Sequence, residues 1–226
     1  VDGIVYVGSL DRDLYAIEAI SGEKQWRFET RARIYSSPTV VGSTVYIGSN
    51  DTRLYSVDRN TGKKEWHFEA RSEIRSSPAV VDGTVFVGSA DGNLYAVDAQ
   101  TGDERWTFEI GGLVDPSPAV ANDTVYIGGN TGTLHAVDID TGEEQWQFKD
   151  EIKSGAFPDT HSPTVIDGTV YIGSSSGDLY AVEAVSGTEQ WRFETEDSVF
   201  STPTVSDSIV YFGSNDGNLY AVNTDR

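Results

Sequence analysis

The chain has 226 residues, 36 of them acidic and 16 basic, for a formal net charge of −20, with 38% hydrophobic residues and no cysteine. The missing cysteine excludes disulfides and thiolate metal sites, and an acidic surface with no basic stripe argues against nucleic acid or anionic membrane as a partner. No apolar run nears the roughly 18 residues a membrane-spanning helix needs, and the length suits a single all-β domain over residues 1–226.

In chain order, similar units fall at approximately 1–40, 41–80, 81–120, 121–165, 166–205 and 206–226, the last partial. The second pattern is the clearest. Ser36-Ser37-Pro38-Thr39-Val40 reads as strand A, Thr44 to Ser49 as B, Leu54 to Asp58 as C and Lys64 to Glu69 as D. Strand B is apolar at nearly every position, as expected of a strand covered on both faces. Strand D alternates, with Trp66 and Phe68 on one face and Glu65, His67 and Glu69 on the other, which marks a half-solvated outer strand. The B-to-C stretches, such as Ser-Asn-Asp-Thr-Arg at 49–53 and Ser-Ala-Asp-Gly-Asn at 89–93, are read as hairpin turns in which Asp, Asn and Gly tolerate left-handed backbone. They lack the ligand count and closing Glu of a calcium loop.

Gly-x-x-x-Trp-x-Phe recurs from Gly22, Gly62, Gly102, Gly142 and Gly187, so that Trp26, Trp66, Trp106, Trp146 and Trp191 account for all five tryptophans, at spacings of 40, 40, 40 and 45 residues. A period near 40 with several short strands per unit predicts a β-propeller of four-stranded antiparallel blades. About six blade units are expected. The first lacks strand A and the last, with A at 201–205, lacks D. Since the chain contains no methionine and Val1-Asp2-Gly3 enters a repeat in mid-course, a fragment or processed product is expected. The few lysines beside so many acids suggest a salt-adapted surface, as in a halophile.

The run from Ala96 to Trp106, Ala-x-Asp-x-x-Thr-Gly-x-x-x-Trp, returns from Ala136 to Trp146 and resembles the tryptophan-docking motif of pyrroloquinoline-quinone-like (PQQ-like) propeller repeats across the whole chain. The resemblance implies that each Trp ties its blade to the next; either the chain forms six blades with three-stranded end blades, or it is an arc of a larger ring, which in that family commonly has eight blades, about 320 residues at this period. Glu18 and Glu183 replace the motif's Asp, and Ser21 and Ser186 its Thr. The catalytic members of that family hold their quinone against a cysteine pair and a stacked Trp, with calcium on Glu, Asn and Asp. Nothing equivalent maps onto this sequence, so neither cofactor, metal nor catalytic residue is expected.

The expected function is therefore a non-catalytic scaffold that meets protein partners through loops of one face, similar to the family's lipoprotein scaffold in outer-membrane protein assembly. That likeness points to an extracytoplasmic location. Self-association through open edge blades is the other partner expectation. The alternatives are a fragment of a PQQ-dependent dehydrogenase and a ligand-sensing domain of a larger receptor or kinase.

Candidate binding residues come from two places. Arg31, Arg33, Arg71 and Arg75 lie in D-to-A connections and Arg12 and Arg53 in B-to-C turns, and in a four-stranded meander those connections emerge at the same end. They form a basic sector suited to an acidic loop or carboxylate, unless they pair with Glu29, Glu69, Glu73, Asp11, Asp13 and Asp51. The insertion at 149–161 contributes Phe157, Asp159 and His161. Of the other histidines, His67 sits at a solvated D-strand position and His135 takes the place of a packing tyrosine.

Overall fold

Within each sheet of the structure, a computed structural model describing residues 1–149 and 162–225, consecutive strands pair antiparallel. The chain divides into two compact units, Val1–Glu109 and Ile110–Arg226. Phe157, Asp159 and His161 lie outside the described residues.

The first unit holds three blades. Blade 1 is β1 (Ile4–Gly8), β2 (Asp13–Glu18) and β3 (Lys24–Glu29), three strands without an A. Blade 2 is β4 (Thr39–Val41), β5 (Thr44–Gly48), β6 (Arg53–Asp58) and β7 (Lys64–Glu69). Blade 3 repeats it as β8 (Ala79–Val81), β9 (Thr84–Gly88), β10 (Asn93–Asp98) and β11 (Glu104–Glu109). In the second unit, blade 4 is β12 (Ala119–Ala121), β13 (Thr124–Gly128), β14 (Thr133–Asp138) and β15 (Glu144–Lys149). Blade 5 is β16 (Thr164–Ile166), β17 (Thr169–Gly173), β18 (Asp178–Glu183) and β19 (Glu189–Glu194), and blade 6 is β20 (Thr204–Ser206), β21 (Ile209–Gly213) and β22 (Leu219–Asn223). The propeller blades expected from the 40-residue period are therefore present, with the first and last sheets three-stranded.

The A strands are shorter than the sequence suggests. Residues 36–38 and 201–203 precede rather than join them, because Pro38 and Pro203 have no N–H to give to a ladder. Side chains do the work there instead. The Gly48 N–H donates to Ser36 Oγ at 3.1 Å, and the Gly213 N–H to Ser201 Oγ at 2.7 Å.

Packing between blades follows the predicted patterning. Val45, Ile47 and Val57 of blade 2 are fully buried with Leu14 of blade 1, while Trp26 and Phe28 of blade 1 pack half-buried against the same cluster. Each such aliphatic side chain contributes about 1.5–3 kcal/mol of burial. The cluster around Leu54, Val85 and Val97 repeats the arrangement with Trp66 and Phe68, and in the second unit Trp146 and Phe148 join Leu134, Val170 and Val182.

The D-strand tryptophans also make polar contacts to the following blade. Trp26 Nε1 donates to the Arg59 carbonyl at 2.9 Å, Trp66 Nε1 to Ala99 at 3.1 Å, Trp146 Nε1 to Ala184 at 3.0 Å and Trp191 Nε1 to Thr224 at 3.0 Å. A B-strand tyrosine donates to the same carbonyl in three of these, Tyr6 Oη to Arg59 at 3.4 Å, Tyr46 Oη to Ala99 at 3.1 Å and Tyr126 Oη to Ala184 at 3.0 Å.

Candidate functional site

The B-to-C turns and D-to-A connections meet at one end of each blade, and the residues that hold them there define which side chains remain available. Asn50 N–H donates to the Arg33 carbonyl at 3.0 Å. The Arg31 N–H donates to Asp51 Oδ2 at 2.8 Å, and Tyr55 Oη donates to the same oxygen at 2.7 Å. A turn carboxylate of blade 2 thus fastens the D-to-A connection of blade 1. The next pair of blades repeats this, with Arg71 N–H and Tyr95 Oη each 2.9 Å from Asp91 Oδ2. In the second unit Asp216 Oδ2 accepts from Glu196 N–H at 3.3 Å and Tyr220 Oη at 2.7 Å.

These contacts perturb the tyrosines. Burial, then the hydrogen bond to Asp51, pushes the Tyr55 phenol up to about 12. Tyr95 reaches about 12 for the same reasons through Asp91. Tyr15 also rises to about 12, chiefly through its hydrogen bond to Asp11. A neutral phenol donating to a carboxylate is the form the fold selects.

The left-handed residue of these turns is not the Asp. It is the one after it: Thr52 at φ 76°, Gly92 at 93° and Gly217 at 90°. Asp serves instead as acceptor, a role that turn chemistry alone does not reveal. A signal was present, because Asp and Tyr recur four residues apart as Asp11 and Tyr15, Asp51 and Tyr55, Asp91 and Tyr95, and Asp216 and Tyr220.

The structure divides the six candidate arginines. Arg53 is committed to Glu69 at 3.3 Å, and Arg75 to Glu73. Among the described residues, Arg12, Arg31, Arg33 and Arg71 have no carboxylate within ion-pair distance, and all four are exposed. Backbone capture explains this for Arg31 and Arg71, whose N–H groups take the nearby carboxylates while the guanidinium groups project to solvent. Asp13 pairs instead with Arg27 at 2.9 Å. Arg12 and Arg33 line one open cleft.

His67 is exposed, with Lys64 Nζ 3.3 Å from its Nδ1. Burial, then the Lys64 charge, lowers its pKa. His135 is buried at the tyrosine position, and its Nδ1 lies 2.6 Å from Glu144 Oε1. Among the described residues no group of three or more His, Asp or Glu side chains is arranged to hold a metal ion, and no helix is long and apolar enough to cross a membrane.

Residues 1–226 match the family described as "Beta-alanine-activating enzyme, beta-propeller". Among solved structures, the chain is similar to BamB from Moraxella catarrhalis, at 24% identity and a TM-score of 0.82 over 99% of this chain and 68% of that one. It is also similar to the computationally designed Ika8 protein, at 19% identity and a TM-score of 0.86 over 98% of this chain and 68% of that one. At these identities the likeness is one of fold. No curated protein matches the sequence.

Proposed function

The chain belongs to the β-propeller family of the beta-alanine-activating enzyme, and from that premise we propose that it is a non-catalytic scaffold that captures a protein partner at the blade end formed by its B-to-C and D-to-A connections. The observation that carries this reading is the set of four exposed guanidinium groups, Arg12, Arg31, Arg33 and Arg71, without carboxylate partners among the described residues of a chain whose net charge is −20. On so acidic a protein, arginines that pass up available carboxylates are suited to a carboxylate brought by another molecule. The acidic remainder of the surface is read as salt adaptation, in which ions screen the self-repulsion.

The test is comparative capture in high salt by the immobilised chain and its Arg31→Ser, Arg33→Ser, Arg71→Ser triple variant. A partner retained by the parent and released by the variant is the expected result. Identical capture by both removes these arginines from the function.

The family description, which names an enzyme beside its propeller, favours a second reading in which the propeller is the interaction module of a larger enzyme. A separate catalytic domain in the full gene product is the observation that reading requires.

A further inference from the structure

The B-to-C turns of blades 1 and 2 carry a side chain at the left-handed position where their counterparts carry glycine. Four equivalent turns place glycine there, Gly92, Gly132, Gly177 and Gly217, at φ of 93°, 81°, 97° and 90°. Blade 2 has Thr52 at 76°, and blade 1 has Arg12 at 85°. A β carbon is disfavoured in this left-handed region, so glycine is what the turn itself calls for. An arginine held there is an outlier that folding does not need, and such outliers concentrate where the side chain is used.

Arg12 lines an open cleft of about 690 Å³ together with Leu10, Asp11, Ala32, Arg33, Asn50 and Glu73, a size within the range of ligand sites. Both carboxylates of the cleft are already engaged. Asp11 accepts the Asp13 N–H at 3.1 Å and the Tyr15 hydroxyl at 2.9 Å, and Glu73 pairs with Arg75. The Asp13 N–H, then Ser9 and Tyr15, hold Asp11 below the usual carboxylate range, so it stays an anion satisfied within its own turn. The cleft therefore offers two guanidinium groups in surplus. Asn50 also lines the cleft, and its Oδ1 is buried without a hydrogen-bond partner among the described residues.

We propose that this cleft binds an acidic peptide segment, with Arg12 and Arg33 each taking a carboxylate and the Asn50 side chain taking a peptide N–H. The site rests on the scaffold reading above and names the chemistry of its partner. Guanidinium and carboxylate match in bidentate geometry, which lysine would not reproduce. A peptide supplies both the anions and the N–H donor. A free dicarboxylate supplies only the anions.

The test is calorimetric titration of the chain, in the same high salt used for partner capture, with a blocked peptide of alternating glycine and glutamate, with its glutamine counterpart, and with succinate. The parent is expected to bind the glutamate peptide about tenfold or more tightly than either control, a difference that charge-assisted hydrogen bonds supply. Arg12→Gly restores the residue found at four equivalent turns, so its thermal midpoint should hold or rise while peptide affinity falls about tenfold. Arg33→Gln should lose affinity similarly. Undiminished binding by Arg12→Gly overturns the site, as does a parent that binds the glutamine peptide or succinate equally well. If the triple variant still releases its partner while Arg12→Gly binds peptide like the parent, the cleft fails and the scaffold reading stands. If the glutamate peptide does not bind and the triple variant captures like the parent, both fall.

Discussion

Gly62 lies against the indole of Trp26: a β carbon on Gly62 would stand 2.7 Å from Trp26 Cδ2, and the glycine itself sits at φ +67°. The same relation joins Gly102 to Trp66 at 2.8 Å and Gly187 to Trp146 at 2.6 Å. In these pairs the glycine of one blade is thus the platform for the tryptophan of the blade before it. Position and conformation both demand glycine, so the two halves of the recurring motif meet across blades rather than within one.

Gly62→Ala should therefore cost more than Gly22→Ala. Gly22 shares the left-handed backbone, at φ +72°, but a β carbon there meets nothing within 4 Å. The backbone penalty alone is about 1 kcal/mol, and displacing an indole adds about 2 kcal/mol of overpacking. Denaturant midpoints of the two variants check this, and equal losses would show that the indole contact contributes nothing.

Trp66→Phe removes the hydrogen bond to the Ala99 carbonyl while keeping an aromatic ring in place. About 1 kcal/mol should be lost to the missing bond, with a further loss for the smaller ring. Trp66→Ala, which opens a cavity, should cost about 3–5 kcal/mol. Urea unfolding with an unchanged m-value would assign both losses to the folded state.

The tyrosine shifts predict an alkaline transition. Tyr55 and Tyr95 ionise near 10 when unfolded but are raised to about 12 in the fold. Their contribution is complete below pH 10 and is lost as pH rises through about 12, because the unfolded chain gives up those protons first. Stability should fall between these limits, and Asp51→Ala should bring the Tyr55 titration down, as followed by phenolate absorbance. An unmoved titration would remove Asp51 from the shift.

Acid behaves in the opposite sense. Asp98 is lowered to about 2, first by its hydrogen bond with Arg105 and then by the Thr101 and Gln100 N–H groups. Its stabilising contribution is present above its unfolded value near 3.8 and is lost as pH falls through about 2. In Arg105→Gln the Asp98 carboxyl should titrate higher, which carbon-detected NMR of that side chain would record.

The blades were legible because each repeat reports the same packing requirement several times. The outer face of strand D, with Glu65, His67 and Glu69 exposed beside half-buried Trp66 and Phe68, followed from alternation alone. The turn tyrosine was within reach, since Tyr55 and Asp51 are four residues apart in one blade, but the role of Asp51 was harder to read, since its bond to the Arg31 N–H reaches into the neighbouring blade. Arg53 illustrates a third case. It stands directly across the ladder from Glu69, so strand register decides its pairing, and composition only announces that a cation is there. The free state of Arg31 and Arg71 depends on their own backbone N–H groups claiming Asp51 and Asp91, which is a property of the folded loops.

The most direct test of the account is hydrogen exchange of the chain with and without its captured partner. Protection should appear in the B-to-C and D-to-A segments of the first blades, residues 30–37, 49–53 and 70–77, with the C-to-D turns at 59–63 unchanged. Protection confined to the C-to-D turns, or absent from the loops that carry Arg31, Arg33 and Arg71, would contradict it.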